Sequence, residues 1–127
     1  MDGGVGTGPS MAYVFQKGGL FDSMNVFDNV AFGLRRRGMR EDRAGEIVNE
    51  SLARVGLAGS ELKLPSELSG GMQKRVGLAR AICLDPDIIL YDDPTAGLDP
   101  ILSDSIADLI LEISDASSAT SVVVTHD

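Results

Sequence analysis

The stretch that most limits what this chain can become is Ile88-Ile89-Leu90-Tyr91, four consecutive apolar residues closed by Asp92-Asp93-Pro94. A strand with one wet face alternates apolar and polar residues. An unbroken apolar run of this length instead predicts a strand covered on both faces, as in the parallel sheet of an α/β fold. Its tip then carries two carboxylates, a place suited to holding a hydrated Mg2+ and polarising a water. Upstream, Leu68-Ser69-Gly70-Gly71-Met72-Gln73-Lys74-Arg75 predicts a helix opening on a serine and two glycines. The free N–H groups and positive end of such a helix suit an anion. Carboxylates for a metal and a helix start for phosphate together describe nucleotide chemistry.

The other elements fall around these two. Met11-Ala12-Tyr13-Val14-Phe15 reads as a short buried strand ending at Gln16. Asn25 or Asp28 is placed to cap a helix carrying Val26, Phe27, Val30, Ala31 and Leu34 and stopping near Gly38. A second helix runs from Arg40 to Val55, with Ala44, Ile47, Val48, Ser51, Leu52 and Val55 on one face and Gly56 at its end. Leu64 to Leu68 is a loop, and the glycine-led helix runs from Ser69 to about Leu84 with Met72, Val76, Ala79, Ile82 and Cys83 inward. Pro100 opens a further helix at its first turn, with Leu102, Ile106, Leu109, Ile110 and Ile113 as the buried stripe. Residues 114–120 form a polar loop. Residues 121–125 form a second buried strand, and His126 lies at its carboxyl end, where ligand groups collect in open α/β sheets.

Composition removes several classes of function. A net charge of −8 argues against a nucleic-acid groove, which needs clustered Lys and Arg. The one basic run, Arg35-Arg36-Arg37 with Arg40, is short and flanked by acids, as expected of a solvated helix end. The single cysteine, Cys83, sits in an apolar helical segment and fits a reducing compartment. No run approaches the length of a membrane span, so association with a membrane has to come through a partner.

With Thr95-Ala96-Gly97-Leu98-Asp99 after the carboxylates and Thr125-His126-Asp127 after the last apolar run, the chain from Met11 to Asp127 resembles the ATP-binding subunits of ABC transporters. The resemblance implies an α/β fold: the carboxyl-terminal part of a P-loop NTPase domain, with a helical subdomain and an incomplete, mainly parallel sheet. It implies ATP and Mg2+ as ligands. Asp92 takes the place of the Walker B aspartate that holds Mg2+ through water, and Asp93 stands where the family usually has the glutamate that activates the attacking water. Gln16 resembles the glutamine that reaches the metal-bound water and the γ-phosphate region. His126 resembles the switch histidine on the γ-phosphate, and Asp99 the D-loop aspartate that communicates across a dimer. Ser69, Gly70 and Gly71 resemble the signature that acts on the nucleotide of the other subunit, with Met72 in place of the usual glutamine.

The same resemblance implies a homodimer on the cytoplasmic face of the inner membrane, contacting an integral permease through the region Gly18 to Val30. Phe15 to Met24, Pro65 to Met72 and Tyr91 to Ile101 look most like the ATPase subunit of the phospholipid-trafficking Mla type, associated with MCE proteins and toluene tolerance. A DNA-maintenance ABC ATPase would carry a long coiled coil between Gln16 and Ser69. Only about fifty residues lie there, and they read as a compact helical subdomain.

The amino-terminal end departs from the family. Residues 1–10 are Gly-rich and expected to be an unstructured leader, with 11–127 a partial ATPase domain. Gly3 to Ser10 matches the phosphate-binding loop pattern except that Pro9 stands where the lysine belongs, and proline brings neither charge nor N–H. The chain is shorter than a whole ABC ATPase domain and is expected to be a piece of one. Two readings stay open on the sequence: part of an ATP-hydrolysing transport subunit, or a non-catalytic segment that docks on a permease or partner ATPase.

Overall fold

A computed structural model describes residues 10–15 and 19–125. The leader expected over residues 1–9, Gln16 and His126 lie outside them. Ser10, expected in the leader, is tied down: its N–H donates to Asp87 Oδ2 at 2.9 Å and its carbonyl accepts from the N–H groups of Asp87 and Ile88 at 3.1 and 3.0 Å.

The chain runs β1 (Met11–Val14), α1 (Val26–Arg36), α2 (Glu41–Arg54), a 3-10 turn (Pro65–Glu67), α3 (Gly70–Ile82), β2 (Ile88–Asp92), α4 (Pro100–Ala116) and β3 (Thr120–Val124). The strands form one parallel sheet in the order β1-β2-β3. The apolar run is thus the central strand, paired from Met11↔Ile88 on one side and Ile88↔Thr120 on the other. Parallel neighbours need long crossovers. Here α1 to α3 supply one and α4 the other.

Helix starts follow their caps. Asn25 Oδ1 accepts from the N–H of Asp28 at 2.8 Å, which settles the choice between Asn25 and Asp28 for α1. Val26, Val30, Ala31 and Leu34 of α1 pack with Ala44, Val48 and Leu52 of α2 and with Val76 and Ala79 of α3 in the core. The basic run after α1 is engaged within the fold. Arg35 pairs with Asp28 and Glu41 at 2.8 Å each, Arg36 lies over the Phe32 ring, and Arg37 Nη1 donates to the Leu84 carbonyl at 2.9 Å.

Asn29 is fully buried, and sequence reading did not single it out. Its Oδ1 accepts from the Phe21 N–H at 2.8 Å, and its Nδ2 lies 3.1 Å from the carbonyls of Phe21, Met24 and Asn25. One amide therefore does for the loop before α1 what a neighbouring strand would do, pairing with both backbone groups of Phe21.

Five expectations are corrected. The run from Met11 to Phe15 is not buried throughout: Ala12 and Val14 are buried, whereas Met11, Tyr13 and Phe15 are exposed. β2 is covered on one face only: Ile89 and Tyr91 are buried, whereas Ile88, Leu90 and Asp92 are half-buried. β3 is an exposed edge rather than a buried strand, with Val122, Val123 and Val124 all exposed, because no described strand pairs beyond it. In α4, Leu102 leaves the buried stripe and lies against the start of α3, and the helix continues through Ser114 to Ala116, where the Ser117 N–H still reaches the Ile113 carbonyl at 3.1 Å.

The buried amide sets the first prediction. Asn29→Ala removes the partner of the Phe21 N–H and of the Met24 carbonyl in a part-buried loop and is expected to lower unfolding free energy by about 1–3 kcal/mol. Arg35→Ala breaks exposed ion pairs and is expected to move the urea midpoint little. Equal midpoints for the two variants would show that the Asn29 network carries no net stability.

Candidate nucleotide site

The site begins where the sheet ends. Asp92 is the last residue of β2, and the ladder continues one step past it, with the Asp93 N–H donating to the Val124 carbonyl at 2.7 Å. Asp93 then turns into the left-handed region at φ 49°. That conformation is costly for most L-residues and least so for Asn and Asp, whose short side chains bond locally. The Asp93 carbonyl accepts from Ala96 N–H at 3.1 Å, the Thr95 carbonyl accepts from Leu98 N–H at 3.2 Å, and Gly97 takes φ 78°. A tight double turn therefore runs from the carboxylates to Asp99.

Asp99 is the N-cap of α4: its Oδ1 accepts from Leu102 N–H at 2.9 Å and its carbonyl from Ser103 N–H at 2.8 Å. Pro100 follows at the first helical position, where its missing N–H costs nothing. Ser103 Oγ closes the turn from within the helix, 3.3 Å from the Leu98 carbonyl.

α3 opens the same way. Ser69 Oγ accepts from Met72 N–H at 3.2 Å, and its carbonyl accepts from Gln73 N–H at 2.9 Å. Gln73 Nε2 donates to the Pro65 carbonyl at 2.9 Å, which ties the 3-10 turn to the helix it precedes. Nothing stands within 4 Å of where a Gly70 side chain would point, so this helix start is open. A side chain at Gly71 would meet Leu102 at 3.7 Å, which sets the starts of α3 and α4 side by side.

Lys74 is the site residue that sequence reasoning missed. It is only 8% exposed, and burial pushes its ammonium below the usual lysine range while the Asp93 charge works against that. The i, i+4 row Lys74, Leu78, Ile82 is buried along its length, a signal that was available. Among the described residues, then, Asp92, Asp93 and Lys74 belong to the strand tip, and Ser69, Gly70, Gly71 and Asp99 to two adjoining helix starts. Gln16 and His126 lie outside the described residues.

The donor set suits one kind of metal. No group of three or more His, Cys, Asp or Glu converges among the described residues. Mg2+ characteristically keeps several waters and takes one or two carboxylates plus phosphate oxygens, and Asp92 with Asp93 meets that need.

Comparison with known proteins now defines the class. The chain belongs to the ABC transporter family, whose model matches residues 6–96. It is 51% identical over 115 residues to the probable ribonucleotide transport ATP-binding protein mkl of Mycobacterium tuberculosis, covering 90% of this chain and 32% of that one. It is 48% identical over 118 residues to the intermembrane phospholipid transport system ATP-binding protein MlaF of Haemophilus influenzae, covering 92% of this chain and 45% of that one. Among solved structures, a dimeric post-hydrolysis state of the ATP-binding cassette MJ0796 with ADP and Pi superimposes with a TM-score of 0.79 at 32% identity, over 94% of this chain and 53% of that one. The Mla-type resemblance is thus found among the relatives, and the chain spans a third to a half of the length of the curated relatives it matches.

The left-handed Asp93 gives the second prediction. Asp93→Gly is expected to leave stability unchanged or slightly higher, whereas Asp93→Val places a β-branched residue at positive φ and is expected to cost about 1–3 kcal/mol. Urea unfolding of both variants checks this. A Val variant as stable as the Gly variant would mean that the turn does not hold that conformation.

Proposed function

We propose that this chain is part of the ATP-binding subunit of a transporter that moves phospholipids or other hydrophobic compounds and that it works as a dimer under a membrane permease. The observation that carries the reading is the pair of carboxylates at the tip of the central strand, joined by one short turn to a capped helix start that adjoins a second, glycine-led one. The 48% identity to a phospholipid-transport relative supports the substrate class. The mkl relative, named for ribonucleotide transport, makes substrate the part to test first. No described helix is long and apolar enough to cross a membrane.

In this reading Asp92 would hold Mg2+, which when bound would supply charge compensation for the phosphates. Asp93 would orient the attacking water, and Gln16 and His126 are assigned to the γ-phosphate by the family resemblance. Ser69, Gly70 and Gly71 present the open start of α3 to the nucleotide held by the second subunit, where N–H groups and the helix dipole stabilise negative charge. Asp99 holds the turn that faces that subunit. Pro9 leaves the segment around Gly3 to Ser10 without the phosphate-binding lysine. The 127-residue chain on its own is therefore expected to release no phosphate above a buffer control. Release that Asp92→Ala abolishes would refute this.

Asp93 is one methylene shorter than the usual glutamate, and a misplacement of about 1 Å can cost on the order of 10²-fold in rate. Joined to the amino-terminal half of the Haemophilus influenzae relative, the chain is expected to turn over faster with Asp93→Glu and slower with Asp93→Asn. Equal turnover for Glu and Asp would mean that the left-handed turn already brings the shorter carboxylate into place.

The permease contact is assigned to the loop before α1. Phe21 is 42% exposed, its ring lies 4.9 Å from that of Phe32, and its backbone is fixed by Asn29. Phe27 instead packs against the core, as its spacing with Val30 and Leu34 allowed. A rigid, half-exposed aromatic beside an apolar groove is a typical anchor for a short helix. Phe21→Ala in the permease complex is expected to weaken co-purification by at least about 2 kcal/mol, with melting temperature nearly unchanged. Unchanged binding would remove this surface from the docking site.

A further inference from the structure

We propose that Arg75 is a positioning residue that locks the start of α3 to the start of α4, so that the Ser69–Gly71 face and the Asp99 turn present themselves to a second subunit as one rigid body; its consequence for ATP turnover rests on the function proposed above.

Arg75 lies on α3 one turn beyond Gly71, on the side that faces α4. Its Nη2 donates to Ser105 Oγ at 2.5 Å, and its Nη1 donates to the Val55 carbonyl at 2.7 Å. Ser105 lies one turn along α4 from Leu102, the residue that abuts Gly71. The two helices therefore meet at matched positions, Gly71 with Leu102 and then Arg75 with Ser105. Around this link they stand apart, leaving a groove of about 510 Å³ lined by Arg54, Ile101, Asp104, Asp108 and Glu112.

The third partner fixes the fork in space. Val55 is the residue after α2, where carbonyls lack helical partners, and the guanidinium takes up that acceptor. Gly56 follows with φ 76°, and a Cβ there would stand 3.2 Å from Nη1. The chain leaving α2 is thus shaped around the Arg75 head. The guanidinium reaches the two acceptors from two separate nitrogens held in a fixed fork, whereas a lysine would have to reach both from a single nitrogen. Arg75 lies where it orders both helix starts without standing at either one.

Ser105→Ala is the cleanest probe, because alanine is the better helix former and α4 itself is not weakened. In the chain, amide exchange in the first turns of both α3 and α4 is expected to quicken by about tenfold, the loss of one charge-assisted hydrogen bond. Melting temperature should change little. Quickening confined to α4, or none, overturns the proposal.

In the chain joined to the amino-terminal half of the Haemophilus influenzae relative, as a dimer with its permease, Ser105→Ala and Arg75→Lys are expected to lower kcat for ATP by about tenfold with KM nearly unchanged, since the interaction lost orders the two helix starts rather than holding the nucleotide in the ground state. Restoring the link as Arg75→Lys with Ser105→Glu should recover part of the rate. Unchanged kcat, or no recovery in the double variant, overturns the role in turnover. A wild-type subunit that releases no phosphate at all refutes the ATPase reading instead, and the exchange measurement then decides the lock by itself.

Discussion

The structure depends on a central strand hydrogen-bonded along both edges. β2 shares its ladder with β1 and β3, and the ladder runs on past the last strand residue through the Asp93 N–H to Val124. A buried backbone group that loses its partner costs far more than the bond contributes net, so this register is strongly held. From Asp93 the chain is bonded at nearly every step through Ala96 and Leu98 to the Asp99 cap. The carboxylates and the start of α4 are therefore fixed by main chain, and the rest of the site is assembled against them. Lys74 is buried on α3 and feels the charge of Asp93, and Arg75, next in sequence, reaches to Ser105 of α4.

Magnitudes separate what holds the helical part from what decorates it. The ion pairs of Arg35 are exposed on both sides, where solvent and side-chain entropy cancel most of their attraction. Asn29 carries no charge but is itself fully buried, and its amide is the partner of the Phe21 N–H and the Met24 carbonyl. The loop carrying Phe21 is therefore rigid because of one buried amide rather than the conspicuous charges nearby. That rigidity bears on the proposed docking, since an anchor held in place before binding loses less freedom when it binds.

Much of the chain was legible because its signals are local. The helix starts at Asn25 and Ser69, the proline at the start of α4 and the helical stripes of α1 and α2 each act within a turn of the residues that announce them, whereas the capping role of Asp99 was not read. What escaped depends on distant partners. Asn29 looks like any polar residue on a helix until the preceding loop folds onto it. Lys74 and Arg75 look like a solvated pair until α3 is set between the strand tip and α4. The exposure of β3 escaped for another reason. Its valines were read as belonging to a sheet covered on both faces, whereas the described residues leave Met11, Tyr13, Val122 and Val124 uncovered on one face.

The residue at position 93 joins chemistry and backbone in a single choice. The turn that follows β2 needs a left-handed residue, because the N–H at this position must still reach Val124 while its carbonyl already points back to Ala96. Aspartate accepts that conformation more readily than glutamate, since its carboxylate lies close enough to bond with nearby backbone. Glutamate gains reach but gives up that local preference. The shorter side chain and the left-handed turn therefore suit one another: the backbone that favours aspartate is also the one that decides where its carboxylate points. The position of the proposed water-orienting carboxylate is then set by φ at Asp93 as much as by the length of its side chain.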